Sequence, residues 1–149
     1  MAARSTPTAP QLRVWRDFIE TVATLQGELG RRLQDDSDLS AADYSVLLAL
    51  SDQGDHELRS SELARTIGWE RSRLSHHLGR MERRGLIRRD DCATDNRGAV
   101  VVLTEEGSGA FRRANVPHLR AIRELFIDRL DDEQLQMVDG ITKALRTSA

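Results

Sequence analysis

The chain has 149 residues, 39% hydrophobic and 31% charged, which suits one compact domain with helical extensions and a real buried core. A formal net charge of −2 excludes a uniformly basic protein, and a single cysteine, Cys92, excludes an intramolecular disulfide framework. No apolar run approaches the roughly 18 residues of a spanning helix, and the N-terminal MAARSTPTAP lacks an apolar signal core, so it reads as a frayed lead-in to a protein of a reducing cytoplasm.

After Pro10, apolar residues fall at Leu12, Trp15, Ile19, Val22, Leu29 and Leu33, in steps that make one helical face. Asp35-Asp36-Ser37-Asp38 stops this helix. Ser40, with Asp43 three residues on, predicts a capping box that opens a second helix through Leu50. Tyr44, Leu47 and Leu48 form its apolar side, and Gln53-Gly54-Asp55 is a turn. Ser60 to Gly68 predicts a short helix with a serine cap, Leu63 and Ile67 at i, i+4, and a terminal glycine. Residues 70–84 predict another helix, ended by Gly85. A short helix, a tight turn and a second helix make a helix-turn-helix, whose second helix is shaped for the DNA major groove.

Past Gly85 the period changes. Leu86-Ile87-Arg88-Arg89 and Ala99 to Leu103 read as two strands around a polar loop, Asp90 to Gly98: a β-hairpin wing. Thr104 caps a long helix with Glu105 and Glu106 in its first turn, where the dipole favours acids. Pro117 is expected to kink or interrupt it. Asp131 with Gln134 opens a last helix carrying Leu135, Val138, Ile141 and Leu145.

Charge is unevenly placed. Residues 59–97 hold ten arginines against six acids, a local +4, which leaves −6 for the rest. Such polarity offers one face to a polyanion. With Leu74, Leu78 and Met81 turned inward, Arg71, Ser72, Ser75, His76, Gly79 and Arg80 lie toward the other side of their helix. Arg71, Arg73 and His76, near its N-terminal half, are the candidates for base edges, because arginine is the commonest partner of guanine O6/N7. Arg80, Arg83 and Arg84 are expected to touch phosphate or to pair with Glu82. Ser60 and Arg88 complete the candidate contacts outside that helix. A histidine on the DNA face would add charge in mild acid.

The pieces Glu62-Leu63-Ala64, Ser72-Arg73-Leu74-Ser75, Met81 to Arg89, Asp95-Asn96-Arg97-Gly98 and Leu103-Thr104-Glu105-Glu106-Gly107 fall in this order over residues 60–107. Together they resemble the MarR family of bacterial transcriptional regulators. The resemblance implies a mainly α fold with a small β-hairpin wing, a winged helix-turn-helix with N- and C-terminal dimerisation helices. Residues 40–104 would be the DNA-binding domain, and residues 10–34 and 105–147 the dimerisation region. It further implies a homodimer on a pseudo-palindromic double-stranded operator, acting as a repressor. In that pattern Asp95 orients Arg97, and Arg97 reaches the minor groove, whose narrowing concentrates negative potential. Two residues depart from the pattern. Glu70 stands where many members have a small polar residue, and is expected to hold Arg73 or to accept from a cytosine N4. His77 stands where an aliphatic residue is common.

Family members often respond to small aromatic or phenolic effectors, and Trp15, Arg16, Tyr44 and His118 are the candidate lining here. For Trp15 and Tyr44 the plain alternative is an ordinary core aromatic. Cys92 sits between Arg88-Arg89 and Arg97, cations that lower a thiol pKa, and near Asp90, Asp91 and Asp95, which raise it. Two other functions therefore stay open: a thiol-based redox-sensing regulator working through Cys92, and a winged-helix protein-interaction module without DNA binding. Adjacent His76 and His77 point about 100° apart on a helix and do not share a metal ion. No phosphate loop, dinucleotide fingerprint, GxSxG or HExxH occurs, so neither an enzyme nor a cofactor is expected.

Overall fold

A computed structural model describes residues 6–91 and 98–146. The described helices are α1 (Ala9–Ser37), α2 (Ala41–Ser51), α3 (Ser60–Ile67), α4 (Arg71–Arg83), α5 (Glu105–Leu125) and α6 (Asp132–Arg146), with strands β1 (Glu57–Arg59), β2 (Ile87–Asp90) and β3 (Val100–Leu103). The chain divides into two compact units. One comprises Met1–Arg32 with Arg120–Ala149, and the other Leu33–Leu119.

The Leu33–Leu119 unit holds α2, α3, α4 and a three-stranded sheet of order β1-β3-β2, antiparallel throughout. Leu58 faces Val101 in one ladder and Arg89 faces Val101 in the other, so β3 is the central strand and carries the valine run. Continuous apolar residues there fit burial on both faces. Val46, Leu47, Leu50, Leu63, Leu74, Leu78, Met81, Ile87 and Val101 form one core between helices and sheet. Burial of such a side chain contributes ~1.5–3 kcal/mol each, which makes this cluster the main support of the helix-turn-helix.

Local signals set most boundaries. Ser40 and Asp43 form a reciprocal capping box at the start of α2, with Ser40 Oγ accepting from the Asp43 amide and Asp43 Oδ2 from the Ser40 amide, both at 3.0 Å. Asp131 and Gln134 do the same for α6 at 2.8 and 3.0 Å. Thr104 Oγ1 accepts from the Gly107 amide and donates to the Gly85 carbonyl at 2.6 Å, tying the start of α5 to the end of α4. Gly107 is packed so closely that a Cβ there would run into the Leu86 carbonyl oxygen.

Three expectations change. The wing is not a two-stranded hairpin alone: β1, three residues with one apolar side chain, adds an edge strand too short to show a period of two. Ser60 is the first residue of α3 and not its cap. Arg59 occupies the cap position without a side-chain bond to the helix's first amides, and the Ser60 amide donates instead to the Ala99 carbonyl at 3.0 Å. Finally, α5 runs uninterrupted through Pro117. Proline's fixed φ is compatible with a helix, and the amide it removes is one bond in a long ladder.

In the unit formed by Met1–Arg32 and Arg120–Ala149, Ala121 and Leu125 are buried, and Arg32 donates to both carboxylate oxygens of Glu124 at 2.8 and 3.1 Å. Most other large apolar residues of this unit face outward. Val14, Trp15 and Leu145 are 70%, 60% and 61% exposed, and Phe18, Ile19, Met137 and Ile141 are also exposed. The predicted apolar face of α1 is therefore bare at Leu12, Trp15 and Ile19 and half-buried at Val22 and Leu29. None of the described helices is long and apolar enough to cross a membrane.

Candidate nucleic-acid interface

α4 shows why one stretch can be both basic and apolar. Leu74, Leu78 and Met81 are at most 1% exposed, while Arg71, Ser72, Arg73, Ser75, His76 and Arg80 are all exposed. Spacing of three and four residues puts the first set on one side and the second on the other. Gly68, left-handed at φ 71°, ends α3, and the Trp69 amide donates to the Ala64 carbonyl at 2.9 Å, which fixes the turn. Glu70 is the N-cap residue of α4 and makes no side-chain cap bond. An acid at that position is still favoured by the positive end of the helix dipole. Arg73 is held not by Glu70 but by Trp69, whose ring centroid lies 4.1 Å from the guanidinium carbon. Such a contact is worth ~0.5–1 kcal/mol at an exposed site, and it leaves the donor edge of the guanidinium free to bond outward.

Under this surface lies a polar network. Asp43, 2% exposed, accepts from Arg84 Nη1 at 2.6 Å. Arg84 Nη2 also donates to the Asp38 carbonyl at 2.8 Å. Burial works to raise the Asp43 pKa, but the bonds from Arg84 and Ser40 outweigh it and hold the carboxyl below its ordinary range. His77, 7% exposed, places Nε2 3.0 Å from Asp43 Oδ1, close enough for an ion pair when charged but not aligned as a well-directed hydrogen bond. Burial lowers the His77 pKa, and Arg80 and Arg84 reinforce this against the opposing pull of Asp43. His77 is thus a neutral buried ring at neutral pH. Arg80 bridges to His76 Nδ1 at 3.0 Å and His77 Nδ1 at 2.8 Å.

The expected pairing of Arg83 or Arg84 with Glu82 does not occur. Glu82 accepts from Arg89 Nε at 2.9 Å and from the Arg89 amide at 3.1 Å, because strand β2 folds back along α4. Arg84 is committed to Asp43. Arg88 lies on the exposed side of β2 and bonds Asp90 at 2.9 Å. Both partners are exposed, so the pair adds little to stability and yields readily to a phosphate.

Ser60, Ser61, Arg71, Ser75, Arg89 and Gly98 line a cleft between the start of α3, α4 and the sheet. Gly98 adopts φ 94°, and a Cβ there would collide with Ser60 Oγ. The return of the wing is therefore seated on the first turn of α3. Cys92, Asp95 and Arg97 lie outside the described residues.

Of the four candidate effector residues, the structure brings two together. Tyr44 and His118 meet at 4.4 Å between ring centroids, their planes tilted by 52°, with Phe111 5.4 Å from Tyr44. The Tyr44 hydroxyl donates to Asn115 Oδ1 at 2.7 Å. Burial lowers the His118 pKa and raises that of Tyr44, the latter with help from Asp52. Tyr44 is a core residue, whereas Trp15 and Arg16 lie on the exposed part of α1, in the other unit. Three participants escape a reading of sequence alone. Asp43 serves as a helix cap and also as a buried anion. Trp69 carries no motif beyond its place after Gly68. Arg84 is one of five arginines in its stretch, and nothing local singles it out.

Helix-turn-helix, three-stranded sheet and basic outer face of α4 define a winged helix-turn-helix protein. Comparison narrows the class. A MarR-family model matches residues 37–98. The transcriptional regulator HosA of Escherichia coli O157:H7 is 33% identical over 112 residues, covering 74% of this chain and 80% of HosA. Sco3205, a MarR family transcriptional regulator from Streptomyces coelicolor crystallised in complex with DNA, is 36% identical at a TM-score of 0.89, covering 96% of this chain and 93% of that one. AbsC, a MarR family transcriptional regulator from the same organism, is 34% identical at a TM-score of 0.85, with 97% and 99% covered. The chain belongs to the MarR family of transcriptional regulators, which is not a family of enzymes.

Proposed function

We propose that this regulator binds a pseudo-palindromic double-stranded DNA operator as a homodimer, acts as a repressor in the bacterial cytoplasm, and is released by a small-molecule effector. The observation that carries the DNA reading is the outer face of α4, where Arg71, Ser72, Arg73, Ser75, His76 and Arg80 are all exposed above a rigid core. Arg71, Arg73 and His76 are assigned to base edges, Ser60, Arg80 and Arg88 to phosphates, and Arg97, oriented by Asp95, to the minor groove. The DNA complex of the 36%-identical Sco3205 supports this reading.

Residues 10–34 and 105–147 are assigned to dimerisation. Support comes from the apolar residues left bare on α1 and α6, a pattern that marks an interaction surface. The effector is taken to be small and aromatic or phenolic. His118 Nδ1, buried without a hydrogen-bond partner among the described residues and beside the Tyr44 ring, favours a ligand with a polar group there.

The test is titration of full-length protein onto its operator across salt concentrations. Double-stranded DNA binding should weaken linearly in log–log form, with a slope of about −0.9 per phosphate neutralised. Replacing Arg71 and Arg73 together should abolish preference for the operator over random DNA while the dimer persists. Salt-independent or absent binding would favour the protein-interaction reading. Loss of binding on peroxide treatment in the wild type but not in Cys92→Ser would favour the redox one.

A further inference from the structure

Arg80 lies on the exposed side of α4 and donates to two imidazole nitrogens, His76 Nδ1 at 3.0 Å and His77 Nδ1 at 2.8 Å. A guanidinium has donors only, so each Nδ1 must offer a lone pair, and each ring then carries its proton on Nε2. The two rings are not equivalent. His76 is exposed and free to turn. His77 is buried, with the Trp69 ring edge-on at 5.5 Å. Its Nε2 lies 3.0 Å from Asp43 Oδ1, so a proton on Nε2 sits beside a fixed negative charge, although the N–H is not aimed at that oxygen. A carboxylate beside one ring nitrogen selects the tautomer that leaves the other as acceptor. The charged groups facing His77 are Asp43 from α2, Arg80 from α4 and Arg84 just past the end of α4, and Arg84 is already held by Asp43 and the Asp38 carbonyl.

We propose that His77 is a positioning residue for DNA binding: Nδ1 of its buried ring holds the Arg80 guanidinium on the outer face of α4 in the orientation that meets a phosphate. The proposal rests on the reading that α4 faces DNA. An arginine held by a rigid acceptor loses less freedom on contact than one free to rotate. The aliphatic residue common at this position in the family could fill the same space, but could not accept from Arg80.

Two amide replacements separate this role from packing. In His77→Asn the side-chain oxygen takes the place of Nδ1 and still accepts from Arg80, while contact with Asp43 is lost. In His77→Gln the longer amide reaches Asp43 but offers no acceptor where Nδ1 stood. Operator affinity is measured at fixed salt for wild type, both variants, Arg80→Ala, and His77→Gln/Arg80→Ala, with melting temperatures recorded on the same samples. Arg80→Ala should weaken binding roughly tenfold and reduce the salt slope by about 1. His77→Gln should weaken it about threefold to fivefold, a loss that disappears in the Arg80→Ala background, as coupled residues require. His77→Asn should bind within about twofold of wild type.

The reverse order, with Gln behaving as wild type and Asn weakened, overturns the proposal. So does a His77→Gln loss that multiplies onto that of Arg80→Ala. An Arg80→Ala protein that binds as tightly as wild type overturns it too, while leaving the DNA-binding reading intact. Failure of the wild type to bind DNA at all ends both.

Discussion

Replacing Asp43 by alanine tests the architecture beneath the basic outer face of α4. The carboxylate does three things at once. It closes the capping box with Ser40, accepts from Arg84 at 2.6 Å, and faces His77 at 3.0 Å. Loss of an N-terminal cap interaction costs about 1 kcal/mol. Here Ser40 remains the cap residue and still accepts from the Asp43 amide, so that share is at the low end. Removing one partner from a buried polar network leaves the others unsatisfied, at about 1–3 kcal/mol. Arg84 is 41% exposed and recovers water, so its share is small, whereas His77, at 8% side-chain exposure, gains no water in place of the carboxylate beside its Nε2. The sum is roughly 2–3 kcal/mol, or about 4–12 °C in melting temperature for a chain of this size. The assay is urea and thermal unfolding followed by circular dichroism at one fixed protein concentration, because the proposed dimer would make apparent stability concentration-dependent. Asp43→Asn, which keeps an acceptor oxygen for the Ser40 amide, should lose about half as much as alanine. A change of less than about 0.5 kcal/mol for Asp43→Ala, the range of an ordinary surface substitution, would refute the reasoning.

Other outcomes follow from single features. Gly107→Ala drives a Cβ into the Leu86 carbonyl oxygen, a backbone atom that cannot rotate aside, so unfolding measurements should show about 1–3 kcal/mol of destabilisation. Burial depresses the pKa values of His77 and His118, so the folded chain takes up fewer protons than the unfolded one in mild acid. Stability is then full above the ordinary imidazole value of about 6.5 and falls as pH drops below it through the folded values. A melting temperature flat from pH 7 to about 5 would contradict this. Ile141→Asp, at an exposed apolar position of α6, should shift sedimentation from dimer toward monomer with helicity retained; an unchanged dimer would take that position out of the interface. Arg97→Ala should weaken operator binding strongly at fixed salt and leave the dimer intact, and unchanged affinity would remove Arg97 from the contact.

Sequence carried much of this fold because its signals are local. Ser40 and Asp43, Asp131 and Gln134, and the glycines at 68 and 85 each mark a boundary through bonds to residues within a few positions. The alternation of Leu74, Leu78 and Met81 with exposed arginines needs only the period of a helix. What stayed hidden depends on distant partners. β1 becomes a strand because β3 lies beside it, and its three residues hold no pattern of their own. Glu82 pairs with Arg89 only once β2 turns back along α4. Asp43 and His77 are 34 positions apart, and the anomaly at position 77 has an explanation only when the buried carboxylate is seen beside it. Arg73 resting on Trp69 is a four-residue relation that was open to inspection, but the acid at position 70 offered a more familiar partner.

Selection of genomic DNA fragments by the full-length protein at about 0.15 M salt bears most directly on the central claim. The account predicts enrichment of fragments carrying two inverted half-sites about 10–10.5 bp apart, centre to centre, each fragment bound by two chains. Recovery of DNA with no shared sequence, or no recovery above input, would contradict it.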